Sequence, residues 1–346
     1  MIRFGLYVIP QHPLSDSPVR RFREALHQVR LARDAGFDAI ATGQHFLSPP
    51  YQSLQAIPFL ARLAAETGPM RLVTGVLLLS ILNPVEVAEN VATLDILSEG
   101  RVVFGVGLGY RDVEYEAFGV ERPHRVRRFL EALEVVRRLW TEPAVTFEGR
   151  FFRLRGATCT VRPLQKPHPP IWIAANNDGA ILRAARLGYP WFLNPHATLS
   201  VLERQMALYR QGLAQAGHPP PSEVPLAREM FIAPTREEAW RIARPYLEGK
   251  YQAYAEWGQD RALPGQETFR LPWEELARDR FILGAPDEAI AEIERYHQRL
   301  GATFFLFRVQ WPGMESHYAL RVIELFGLHI IPYFRKKYGG AAPSAE

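Results

Sequence analysis

Short, almost wholly apolar runs alternate along the chain with longer stretches of helical period. The runs are Arg3–Ile9, Asp38–Thr42, Leu72–Leu79, Val102–Val106, Pro170–Ala174, Trp191–Asn194, Ala227–Ile232 and Thr303–Val309. They are mostly apolar rather than alternating with polar positions, which is the pattern of parallel strands buried on both faces. Between them lie helix patterns. In 22–35, Phe22, Ala25, Leu26, Val29, Ala32 and Ala35 recur at three- and four-residue steps, and Gly36 supplies the stop. The stretch 84–98, with Pro84 in its first turn, and the stretch 129–140 follow the same rule. Two late apolar segments, 318–326 and 330–334, are expected to pack on the main domain or at a subunit interface.

Eight strands in β-then-α order over 346 residues predict an α/β fold, a (β/α)8 TIM barrel closed on itself. An open, doubly wound sheet is the competing architecture. Two segments exceed what a minimal barrel needs. Residues 146–169 have the look of a hairpin excursion, and 258–283, with Pro264, Gly265, Pro272 and Trp273, has weak periodicity. Long excursions of this kind are usually lids or binding loops. We therefore expect one domain over 1–335, a lid-like segment at 258–283, and a flexible tail at 336–346.

Composition narrows the classes. Hydrophobic residues are 47% and charged residues 23%, the balance of a folded globular chain. The longest apolar stretch, 72–82, is too short to span a bilayer, so no membrane partner is expected. The opening Met-Ile-Arg-Phe-Gly-Leu-Tyr carries no leader pattern, and a cytoplasmic location is expected. A net charge of +4 without a run of five basic residues argues against a nucleic-acid partner. The single cysteine, Cys159, excludes an internal disulfide and a cysteine metal cage.

Three places carry possible chemistry. Gly105-Val106-Gly107-Leu108-Gly109 follows a strand, but lacks the spacing and helix start of a dinucleotide fingerprint. A strand end where small residues let a ligand lie against the backbone is the better reading. His45 falls at the C-terminal end of the second strand, where barrel enzymes place catalytic groups and where imidazole can act as a base. The turn 174–180, with Asn176 and Asn177, opens a helix whose N-terminus can receive a phosphate, or is simply capped by Asn177 or Asp178. No metal site is expected, because His12 and His45 are not supported by further ligands. His124, His168, His196, His218 and His297, in proline-flanked loops or on helix faces, are expected to face solvent. Nucleophile-elbow and Walker motifs are absent.

Asn83-Pro84-Val85-Glu86-Val87-Ala88, Thr93-Leu94-Asp95-Ile96-Leu97-Ser98-Glu99-Gly100-Arg101 and the glycine run through Glu114 to Phe118-Gly119 form a motif series. It continues through Gln165-Lys166-Pro167-His168-Pro169-Pro170-Ile171-Trp172-Ile173-Ala174 and Ala184-Ala185-Arg186-Leu187-Gly188. In order and spacing the series resembles the bacterial luciferase-like flavin monooxygenase superfamily, over residues 1 to about 330. The resemblance implies a barrel with an insertion between strands seven and eight, coinciding with 258–283, and a flavin at the C-terminal mouth. It also implies a non-prolyl cis peptide at Gly75–Val76 beneath the flavin ring, and an active-site histidine at His45. A phosphate-contacting turn would fall on Asn176, Asn177, Gly179 and Ala180, with Tyr110 and Arg111 nearby. Gln44 stands where the family often has an acid, and Gly107 where luciferase has a reactive cysteine. Leu108 replaces the luciferase phosphate-binding arginine, leaving Arg111 as a substitute.

The implied function is monooxygenation of a small organic substrate with O2 and reduced FMN supplied by a separate flavin reductase. His45 would steer protons, and the lid, with Phe269, Trp273 and Phe281, would exclude water. A second reading keeps the fold and changes the cofactor to a deazaflavin, giving a hydride-transfer dehydrogenase or reductase. Its longer polyanionic tail would call on Arg111 and Arg155. A third is a flavin-binding protein without turnover. The family habit favours a homo-oligomer.

Overall fold

The computed structural model describes residues 1–264 and 267–339. Eight strands build the central sheet: β1 (Arg3–Tyr7), β2 (Ala39–Thr42), β3 (Arg71–Thr74), β4 (Val102–Gly107), β5 (Ile171–Ala174), β6 (Trp191–Phe192), β7 (Pro225–Ile232) and β8 (Phe304–Arg308). Their spatial order is β6-β5-β4-β3-β2-β1-β8-β7, and every pairing is parallel. Neighbours in space are thus neighbours in sequence, without the order reversal of a doubly wound sheet. A parallel bridge between Leu193 and Leu226 joins the β6 end to β7, bringing the curled sheet round on itself as a TIM-barrel-like fold requires.

Side-chain alternation explains why these runs are apolar throughout. Tyr7, Ala39, Ala41, Val73, Val103, Trp172, Phe192, Phe304 and Leu306 form one buried cluster inside the curl. The alternate positions Phe4, Leu6, Ile40, Leu72, Phe104, Ile171, Phe305 and Phe307 belong to the larger core shared with the outer helices. Caps set the helix starts. Ser17 Oγ accepts from Arg20 N ahead of helix Pro18–Asp34, and Asn83 Oδ1 accepts from Val85 N at 2.9 Å ahead of Pro84–Leu97. Asp95, fully buried, accepts from Gln165 Nε2 at 2.7 Å and Gln165 N at 3.0 Å, so two parts of the motif series clamp the entry to β5.

The third expected strand, 72–79, is broken. It divides into Arg71–Thr74 and Leu77–Leu78, and the Gly75–Val76 peptide at the break is cis. The hairpin excursion pairs Val145–Glu148 with Arg153–Ala157. Between β7 and β8 the chain forms the helix Arg236–Glu256, a strand Phe281–Gly284 paired to the outer half of β7, and the helix Pro286–Leu300. That extra strand was read as part of the weakly periodic segment; its short apolar run Phe-Ile-Leu was the available signal. The final helix, Ile331–Tyr338, takes in Lys336 and Lys337, which were expected to begin a tail, and residues 340–346 lie outside the described residues. No helix among the described residues is long and apolar enough to cross a membrane.

Candidate functional site

The C-terminal ends of the strands open into a cavity of about 410 Å3. Gly43 after β2, Gly75 and Val76 after β3, Gly107 in β4 and Ala174 in β5 make one wall of it. A Cβ on Gly107 would lie 2.9 Å from a Val76 methyl, and one on Gly43 would lie 2.3 Å from the Tyr7 hydroxyl. Glycine at these two points therefore keeps the wall a flat shelf of backbone and small side chains. Tyr7 OH donates to Gly75 O at 2.5 Å and ties the shelf to β1.

His45 sits at the edge of this shelf. Its Nδ1 lies 3.0 Å from Glu114 Oε1, and the same oxygen accepts from Phe46 N at 2.9 Å. Glu114, 1% exposed, comes from the short helix Asp112–Ala117. A carboxylate accepts, so Nδ1 carries the ring proton, and Nε2 makes no hydrogen bond among the described residues. Tyr110 and Trp257 flank the imidazole, each ring 5.6 Å away. The Tyr110 hydroxyl is buried without a partner among the described residues, and burial pushes its pKa well above the usual tyrosine value, so it remains a donor. Glu114 lay inside the motif series but carried no role in the sequence reading.

Asn176, Asn177 and Ala180 line the cavity, whereas Gly179 does not. Asn177 is also the helix cap, its Oδ1 accepting from Ala180 N at 3.0 Å. Asp178 turns away to Arg204, at 2.8 and 2.9 Å, and that guanidinium holds the carboxyl below its ordinary pKa.

Arg111 does not line the cavity. Its guanidinium donates to Phe46 O at 2.6 Å and Leu47 O at 2.8 Å and stacks 4.4 Å from the Trp257 ring. With Nη1 also 3.5 Å from Glu114 Oε1, these contacts hold the loop that carries His45. Arg155 is exposed on the hairpin, also off the cavity. The arginines that do line it are Arg122, Arg125, Arg261 and Arg308. Arg122 pairs with Asp112, the one carboxylate among the lining residues.

The segment from 258 supplies Gly258, Gln259, Arg261, Ala262 and Leu263 to the cavity. Phe269, Trp273 and Phe281, expected as lid aromatics, instead pack behind it. Phe269 and Phe281 lie 4.8 and 4.9 Å from Tyr251, and Trp273 lies 5.5 Å from Trp240, anchoring the segment to helix Arg236–Glu256. His196, expected to face solvent, is 2% exposed, its ring enclosed by Tyr251, Tyr254 and Phe269. Burial and the nearby cations Lys250, Arg308, Arg228 and Arg280 hold its pKa well below the usual value. Lys250 and Arg308, which also line the cavity, both contact Glu229, a buried group to which sequence reasoning assigned no role. Burial lowers the Lys250 pKa to about 8 against the pull of Glu229. No cluster of His, Cys, Asp and Glu among the described residues is arranged to hold a metal ion.

Known proteins resemble this chain over most of its length. The luciferase-like monooxygenase family model matches residues 2–303. The chain is 26% identical to the oxygenase component of flavin-dependent trigonelline monooxygenase from Acinetobacter baylyi over 351 residues, covering 96% of each. It is 29% identical to an F420-dependent glucose-6-phosphate dehydrogenase from Microbacterium testaceum, covering 89% of this chain and 92% of that one. The crystal structure of monooxygenase RslO1 from Streptomyces bottropensis superposes with a TM-score of 0.84 at 28% identity, covering 96% of this chain and all of that one. With a match across most of its length and the curled parallel sheet that goes with it, the chain belongs to the luciferase-like monooxygenase family.

Proposed function

We propose that the chain is the oxygenase component of a two-component system, using O2 and reduced FMN, delivered by a separate flavin reductase, to oxygenate a small organic substrate. The observation that carries this reading is the flat shelf of Gly43, Gly75, Val76, Gly107 and Ala174 with His45 at its edge. A Cβ on Gly107 would strike a Val76 methyl at 2.9 Å, so glycine there keeps the wall low, and the orphaned Tyr110 hydroxyl is a donor without an internal partner among the described residues. Those residues fit a flavin. Arg122, Arg125 and the Asn176–Ala180 turn are placed to hold a phosphate at the rim.

When bound, the flavin supplies the redox chemistry with oxygen. The protein does the rest. Glu114 orients His45 so that Nε2 can take or give a proton on the cavity side, a role typically worth about 10²–10⁴-fold in rate. We read 258–283 as the lid insertion of a single barrel domain over 1–335, with Gln259 and Leu263 helping to keep water from the reacting atoms.

The three rim arginines Arg122, Arg125 and Arg261 also favour a second reading, hydride transfer with a deazaflavin bearing a longer polyanionic tail. The F420-dependent relative is in keeping with it. Titrating the protein with FMN and with deazaflavin, watching the absorbance of each, separates the two. Product formation that consumes reduced FMN and O2 supports the first. Hydride transfer to the deazaflavin without oxygen supports the second. Oxidation of reduced FMN that stays uncoupled from every substrate offered leaves a binding protein.

A further inference from the structure

We propose that the part of the cavity lined by Lys250, Arg308, Asn194 and Gln11 recognises the carboxylate of a small organic acid, making monoanionic acids the substrate class of this site. The proposal deepens the functional reading above and rests on its placement of the reaction in this cavity.

Charge is the first argument. Lys250 Nζ and Arg308 Nη1, the latter at 3.3 Å, both contact Glu229 Oε1, while Glu229 Oε2 accepts from Trp311 Nε1 at 2.6 Å. The side chains of Lys250, Arg308 and Glu229 are 2%, 12% and 0% exposed. Among the described residues no other carboxylate pairs with either cation. Two cations on one carboxylate leave one positive charge buried at the cavity wall. Such a charge is unfavourable unless a partner anion arrives. His196 does not supply one. It is neutral, and it is occupied with Tyr251 OH at 3.0 Å.

Unused donors are the second. Asn194 and Gln11, 2% and 4% exposed, both line the cavity, and Asn194 Nδ2 and Gln11 Nε2 have no partner among the described residues. Their oxygens are committed. Asn194 Oδ1 accepts from His196 N at 2.7 Å, and Gln11 Oε1 accepts from Tyr254 OH at 3.0 Å. With each oxygen held, each amide nitrogen is left buried at the cavity lining without an acceptor among the described residues, and a buried N–H donor without an acceptor is costly to leave unmade. Tyr254 links the two features, its ring lying 5.2 Å from Lys250 Nζ. An excess cation beside two such donors is a receptor for an anionic group that only accepts hydrogen bonds, and a carboxylate is the simplest organic anion with two oxygens to take them. Tyr254 stacks on Trp257 at 5.4 Å, which gives the body of the acid an aromatic wall.

A reduced isoalloxazine ring is also an anion, so the test separates the two sources. Binding of benzoate and hexanoate is compared with that of benzamide and hexanamide by calorimetry on the full chain, without cofactor, with saturating FMN, and anaerobically with saturating reduced FMN. The acids are expected to bind at least about tenfold more tightly than their amides. Asn194→Ala and Gln11→Ala should each weaken the acids about three- to tenfold and leave the amides unchanged. Lys250→Met should weaken the acids further; if loss of the Glu229 partner unfolds it, the two amide-site variants carry the test. Equal binding of acids and amides in every state, or acid binding indifferent to Asn194→Ala and Gln11→Ala, overturns the proposal. So does a loss confined to reduced FMN, which would make the ring the anion. Acid selectivity in a protein that binds neither FMN nor deazaflavin would leave this site standing and remove the cofactor reading instead.

Discussion

Glu114 Oε1 accepts from both the His45 ring and the Phe46 backbone, at 3.0 and 2.9 Å, so one buried carboxylate sets the position and the tautomer of the imidazole at the edge of the shelf. The two residues lie far apart in sequence and meet because β2 and β4 bring their following loops together. A histidine so held presents the same nitrogen to the cavity at every turnover.

Glu114→Gln should therefore keep cofactor binding and lower turnover by about 10²-fold, and His45→Ala should lower it at least as far. Steady-state rates alongside cofactor titration check this. Turnover unchanged in His45→Ala would remove the imidazole from the chemistry.

Gly107→Ala places a methyl where Val76 already stands 2.9 Å away. The shelf must buckle, and FMN affinity should drop about tenfold or more with only a modest fall in stability. Fluorescence titration of FMN, set beside a melting curve, measures both. Undiminished affinity would mean the ring lies elsewhere.

Arg111 and Arg125 should separate cleanly. Arg111→Ala breaks bonds to two loop carbonyls and a stack on Trp257, and is expected to cost about 2–4 kcal/mol of stability. Arg125→Ala should leave the melting temperature nearly unchanged and weaken FMN about tenfold relative to riboflavin, which lacks the phosphate. A phosphate-selective loss in the Arg111 variant instead would reverse the assignment.

His12 gives a pH signature. Burial, reinforced by Arg21, lowers its pKa from 6.5 to about 4, so the folded state prefers the neutral ring. Its contribution is complete above pH 6.5 and is lost as the pH falls toward 4, because the unfolded chain takes up the proton first. The slope is about 1.4 kcal/mol per pH unit. Urea denaturation between pH 7 and 4 should show His12→Gln losing stability less steeply than the parent protein. Parallel profiles would place His12 in solvent.

The order of strands and helices and the placement of His45 at a strand end were legible in the chain, because each is written in local signals, whereas the Gly75–Val76 break followed only from the family resemblance. Apolar runs without alternation mark strands covered on both faces, and the run from Gly105 to Gly109 marks where backbone can lie close to a ligand. For Arg111, spacing indicates a place near the rim and cannot say that its guanidinium turns back onto Phe46 and Leu47. His196 was misread for a similar reason: its loop looks polar, and only helix Arg236–Glu256, folding over it with Tyr251 and Tyr254, buries it.

The Glu229, Lys250 and Arg308 group was beyond sequence reading altogether. It joins β7, that same helix and β8, elements with no local reason to share charge. Local sequence determines which residues form strands and helices, because backbone preference and periodicity act over a few positions. Which charged side chains end up facing one another in a dry cavity is decided when the sheet curls round, because pairing energy depends on distances and burial that exist only in the closed fold.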